Sequence, residues 1–249
     1  MSEPETTGAA GVQRPTPTEW IRRMQPEEHP RYPESNARRQ LPALLAGLFI
    51  AVFVALGVAP LERSTWLLEN IPTVLCFAAL VCTVRILPLS NTSYVLVFVF
   101  LCLHVVGSHY TYSLVPYEAW SQALFGVSPS EAFGWERNHY DRFLHFLFGL
   151  LLAYPLRELF FLVAHARGFW SYYLPLNLIM ASSLLYELIE WGAAVVFGGD
   201  LAAAYLGAQG DSWDAQWDMA LASLGGVIAL GCIAMVNAGS RFWGGEAGS

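Results

Sequence analysis

Residues 141–163 read DRFLHFLFGLLLAYPLRELFFLV. At a rise of 1.5 Å per residue, a helix of this length extends about 35 Å, enough to cross the ~30 Å hydrocarbon core of a bilayer. Yet the stretch opens with an acid and a base, Asp141 and Arg142, and an imidazole follows at His145. Ionisable groups are expensive in hydrocarbon and mark functional positions by default. A segment apolar along its length and ionisable at one end predicts an all-α, polytopic membrane bundle with its chemistry gathered toward one face.

The rest of the chain agrees with that class. Of 249 residues, 55% are hydrophobic and 13% charged, with a mean hydropathy of +0.42; a soluble domain is nearer a quarter charged. The net charge is −7 and no basic block is present, which excludes nucleic acid as a partner. Every basic residue is arginine. The four cysteines, Cys76, Cys82, Cys102 and Cys232, lie in apolar blocks without a CxxC pair, so they read as small packing residues. No cleavable signal peptide is expected, because the first apolar block follows a long polar stretch and is too long for a signal core.

Apolar blocks predict six spans: Leu41 to Leu61, Trp66 to Ile86, Tyr94 to Tyr112, Asp141 to Val163, Ser171 to Phe197 and Trp213 to Val236. Residues 41–237 thus form a six-helix transmembrane domain. Residues 1–40, proline-rich and without apolar periodicity, read as a disordered cytoplasmic tail, and residues 238–249 as a C-terminal cytoplasmic tail. The aromatic connection from Ser113 to Tyr140 suits the membrane interface, and Pro155 is a candidate kink. Arg14, Arg22, Arg23, Arg31, Arg38, Arg39, Arg85, Arg157, Arg167 and Arg241 fall on the side of the termini; Arg63, Arg137 and Arg142 fall opposite. The positive-inside rule places both termini in the cytoplasm.

That topology brings ionisable residues of four spans to one leaflet: His109, then Asp141 and His145, then Glu187 and Glu190, then Asp214 and Asp218. Asp141 and His145 are i,i+4, and Glu187 and Glu190 are i,i+3, so each pair shares a helix face. Asp211, Asp214 and Asp218 form one stripe. A bundle that turns these faces inward builds a carboxylate and imidazole site. Crowded carboxylates need shared protons or a cation, and a divalent metal (zinc, manganese or iron) suits oxygen-rich ligands with one or two histidines. The expected ligands are His109, Asp141, His145, Glu187, Glu190, Asp214 and Asp218, and the expected catalytic groups Asp141, His145 and Glu187. Plainer readings stand beside this one. Asp141 suits a helix N-terminus, the Asp211–Asp218 stripe an acidic first turn, and His104 a satisfied buried histidine. Arg142 could make the cluster an ion-pair network instead of a metal site.

Three separated motifs resemble a family. Asn138 to Phe146 (NHYDRFLHF), Gly207 to Gln216 (GAQGDSWDAQ) and Asp218-Met219 are similar to the pattern of the YjdF-like bacterial inner-membrane proteins. The resemblance covers Leu41 to Val236 and implies a fold and a location but no activity. A more distant likeness is to the VanZ-like proteins, which are associated with low-level glycopeptide resistance. Asp141, Arg142, His145 and Phe146 match their first motif, and Glu187 the glutamate of their second, where Glu190 replaces a glutamine. Asp218 fits the third, with Ala222 where an asparagine is usual.

Three functions compete on these residues. The first is a metal-dependent membrane enzyme acting on a lipid or cell-envelope precursor at the extracytoplasmic face. There His145 is ligand or general base, and Glu187 and Asp214 are ligands. The second is a proton- or cation-coupled transporter, and the third a structural or accessory protein. The lipid bilayer is the one partner common to all three, and the sequence sets no oligomeric state.

Overall fold

The computed structural model describes residues 37–199 and 208–245. Of the expected N-terminal tail, residues 1–36 lie outside the described residues, as do 200–207 of the last connection and 246–249 at the end. The described residues are helical, without strands: α1 (Ala37–Gly57), α2 (Arg63–Thr83), α3 (Asn91–His109), α4 (Tyr117–Phe125), α5 (Pro129–Phe133), α6 (Tyr140–Ala164), α7 (Trp170–Phe197) and α8 (Asp214–Gly245). Six of them, α1 to α3 and α6 to α8, are long and apolar enough to cross a membrane.

Helix ends follow local chemistry more than hydropathy. The helix α1 stops at Gly57, four residues before the apolar block ends. Pro60 disfavours a helical residue before it, and the Arg63 guanidinium donates to the carbonyls of Gly57 (3.4 Å) and Val58 (2.9 Å). The next helix starts early because the Glu62 carboxylate accepts the Ser64 N–H at 3.2 Å. Ser90 caps α3 in the same way through Ser93 N–H. At the other end of α3, Thr111 and Tyr112 adopt φ of 53° and turn the chain out of the helix. Pro155 sits buried inside a helix that runs on through it. The interfacial connection forms α4 and α5, which bury none of their residues.

The centre of the bundle is α6, which packs on α3, α7 and α8; α3 in turn packs on α1 and α2. Two triplets of helices therefore meet along the α3–α6 seam. Its two ends are fastened by hydrogen bonds. Glu158 on α6 accepts the Ser90 N–H at 2.8 Å, and the Tyr140 hydroxyl donates to the Leu103 carbonyl at 2.8 Å. The closest approach is between α6 and α8. A Cβ added at Gly149 would overlap the Ala222 carbonyl, and one at Gly225 the Phe146 carbonyl. In lipid there is little hydrophobic drive between helices, so small residues that let backbones touch supply the attraction. Ala153 and Ala222, both buried, with Ile179 of α7 and Leu230 complete that core. The outward faces keep large apolar side chains such as Leu44, Leu75, Leu188 and Val195 exposed, as a lipid-facing surface requires.

Candidate functional site

One end of the bundle collects the buried ionisable groups. Its entrance is held by arginines. Arg137, in the turn before α6, grips Asp214 with both terminal nitrogens, at 2.6 and 3.2 Å. Arg142, on the first turn of α6, reaches Asp211 at 2.5 Å and Asp214 at 3.0 Å and lies 5.8 Å over the Trp217 ring. Asn138 and Gln209 exchange hydrogen bonds through the Asn138 N–H (2.9 Å) and carbonyl (3.0 Å). These contacts tie the start of α6 to the start of α8. Asp211 lies outside the spans. The N–H of Trp213, then the Arg142 guanidinium, hold its carboxyl below the usual carboxylate range.

Beneath this latch the acids face one another. The His145 Nε2 lies 3.7 Å from Asp141 Oδ1, one turn back on α6, and 3.5 Å from Glu187 Oε1 on α7. The side chains of Asp141, His145 and Asp218 each bring a donor atom to within 4.8 Å of the other two. Four donors around a zinc-sized ion stand about 3.4 Å apart, given bonds of about 2.1 Å. Small rotations would close the gap. Two carboxylate oxygens here are buried and make no hydrogen bond: Glu187 Oε1, on a residue 8% exposed, and Asp218 Oδ1, on one 2% exposed. Unpaired buried oxygens carry a desolvation cost that a cation or a proton removes. Glu190 is also buried and feels the charges of Glu69, Asp141, Glu187 and Asp218.

Not every residue expected at the site is brought to it. Asp214 is at the right end but is engaged by the two arginines. His109 is turned away: its Nδ1–H donates to the Leu56 carbonyl of α1 at 2.7 Å, and its ring packs edge-on against Tyr110. His104 is a satisfied buried histidine. Its Nε2 must donate to the Glu69 carbonyl (3.1 Å), which leaves Nδ1 to accept the Tyr112 hydroxyl (2.6 Å). Glu69 belongs to the cluster although spacing alone did not select it. It is 2% exposed, accepts the Tyr186 hydroxyl across from α7, and feels the charges of Asp141 and Glu187. A signal was present: Glu69 falls two turns into a span that begins at the same end as α6. Arg137 and Tyr186 are further members, each placed by a partner on another helix, Asp214 for Arg137 and Glu69 for Tyr186, which spacing along one helix does not show.

The fold and the site define a multi-pass helical membrane protein with carboxylates and an imidazole buried at one end of its bundle. The chain belongs to the family described as "Predicted membrane protein (DUF2238)", whose profile matches residues 41–239. It is similar to the inner membrane protein YjdF of Escherichia coli (strain K12). The two are 36% identical over 180 residues, which cover 72% of this chain and 82% of that protein. No solved structure matches the chain. The family and the six apolar helices make this a multi-pass inner-membrane protein.

Proposed function

We propose that the protein is a metal-dependent membrane enzyme acting on a lipid or cell-envelope precursor at the extracytoplasmic face. The observation that supports this most is the convergence of Asp141, His145 and Asp218 beside a buried Glu187 oxygen that accepts no hydrogen bond. That donor set suits zinc, manganese or iron. A bound divalent ion would supply an activated water or a polarised phosphoryl or carbonyl oxygen. Asp141 and Asp218 hold the ion's charge, and His145 offers Nε2. Glu187, on another helix, would lend one carboxylate oxygen to the ion and keep the other to take a proton from the attacking water. Asp214 serves in this reading as a positioning residue, through Arg137 and Arg142. The arginine balance supports the outward orientation, and the distant likeness to VanZ-like proteins supports an envelope setting.

A second reading is favoured by the latch. Two arginines paired with Asp211 and Asp214 fasten helices together, as a structural or accessory protein requires. Elemental analysis of the detergent-purified chain separates the two. The enzyme reading expects stoichiometric metal that is lost in His145→Ala. Metal-free protein in which His145→Ala lowers only thermal stability supports the structural reading instead.

A further inference from the structure

A cavity of about 630 Å³ runs between α2, α3, α6 and α7, within the size range of ligand pockets. Its ionisable and phenolic groups sit at one end, where His104, Tyr112, Asp141, His145 and Tyr186 line it. Away from that end the α6 wall is Leu144, Phe148, Leu152, Leu156 and Leu159, spaced by three or four residues on one face. From Asp141 to Leu159 this wall extends about 27 Å along the helix, close to the ~30 Å of a bilayer's hydrocarbon core. The facing wall of α2 is Thr73, Cys76, Ala79 and Thr83, again one stripe.

Among the described residues, α2 has no extended packing against α7. The cavity therefore has a side mouth within the membrane, crossed near its polar end by the Tyr186–Glu69 hydrogen bond. One further group points to a ligand. Ser183, 2% exposed and one turn before Tyr186 and Glu187, lines the cavity with a hydroxyl that has no partner. A water-soluble substrate would leave most of this wall unmatched. An amphiphile matches it: a long apolar chain against the leucines, an ester oxygen at the Ser183 hydroxyl, and a polar head at Asp141 and His145.

We infer that the cavity holds the hydrocarbon chain of a bilayer lipid, admitted sideways between α2 and α7, with its phosphoryl or carboxyl-ester headgroup at the ionisable end. What happens to the headgroup rests on the proposed function; chain binding rests on the cavity alone.

The test uses the full chain in nanodiscs of phosphatidylethanolamine and phosphatidylglycerol. The probe is a phosphatidylglycerol with a diazirine at the end of one acyl chain. After illumination, cross-links are expected at Thr83 and Leu159, at the far end of the cavity, as well as at the lipid-facing Leu75 and Val195. Ala79→Trp, which fills the cavity, should cut the Thr83 and Leu159 products severalfold and leave the other two unchanged. Cys76→Trp, one turn nearer the polar end, is a second variant with the same expected loss. Products confined to Leu75 and Val195, or cavity products indifferent to both tryptophans, overturn the inference. Metal content is read on the same samples, and both tryptophan variants should retain it. Cavity cross-links in a metal-free wild type would uphold chain binding while removing the enzyme reading.

Discussion

His145 meets carboxylates from two helices, Asp141 at 3.7 Å and Glu187 at 3.5 Å, with Asp218 of a third close by. Groups that share one ion act as a unit. His145→Ala and Glu187→Ala should therefore each strip the metal, and the double change should do little more, as read by elemental analysis. Additive losses of thermal stability with no metal at any stage would mean separate structural contacts. Stabilisation by both alanine changes would mean that neither side chain faces the bundle interior, because removing a polar group from lipid is favourable. Asp211 makes a different prediction. Its folded carboxyl is held below its ordinary value, so folding favours the ionised form. That contribution is complete above about pH 4, the unfolded range, and is lost as pH falls through the lower folded value. Asp211→Asn should thus lower the thermal midpoint by a constant amount between about pH 7 and pH 5, and the gap from wild type should close only in stronger acid. A gap that already changes between those values would assign the latch to another titrating group.

At the scale of the element, the seam of α6 and α8 depends on the missing side chains at Gly149 and Gly225. Gly149→Ala forces two backbones apart and should cost about 1–3 kcal/mol, the range of overpacking. Gly231→Ala is the control: it lies on α8, with Gly225, but has open space around it and should be neutral or slightly stabilising by helix propensity. Thermal stability in detergent distinguishes the two, and equal losses would place the seam elsewhere. The helices themselves were readable because a bilayer imposes one length and one polarity on every span. Their ends were less so. The stop at Gly57 depends on Arg63 reaching back, and the start of α3 on Ser90, contacts that hydropathy does not weigh. Spacing showed which acids share a face, so Asp141 with His145 and Glu187 with Glu190 were legible as pairs. Which neighbour each face meets is a tertiary fact. Asp214 therefore went to the arginines, an ion pairing that Arg142 had offered, and His109 to α1 without any local sign.

For the whole molecule, the balance of arginines predicts orientation. Reporter fusions at Arg85 and Arg167 should read cytoplasmic, and fusions near Ser128 and Ala208 extracytoplasmic. The reverse at both pairs would move the ionisable end to the cytoplasm and the proposed substrate with it. Orientation also shows why Glu69 is easily overlooked as a single acid in its own span. Only after the six spans are threaded does its depth coincide with that of Asp141 and Glu187.

The two helix triplets share a single long seam, and across their mouth reaches the Tyr186 hydroxyl to Glu69. A buried hydrogen bond to a carboxyl group contributes about 1–3 kcal/mol, roughly a 5- to 150-fold change in population. Such a clasp sets how often the doorway stands ajar, and thermal motion does the rest. Traffic through it is then a matter of frequency, tuned by one phenol, while the hinge along α3 and α6 stays shut. Tyr186→Phe should hasten the exchange of a bound chain, at a cost to the bundle's stability no larger than that one bond.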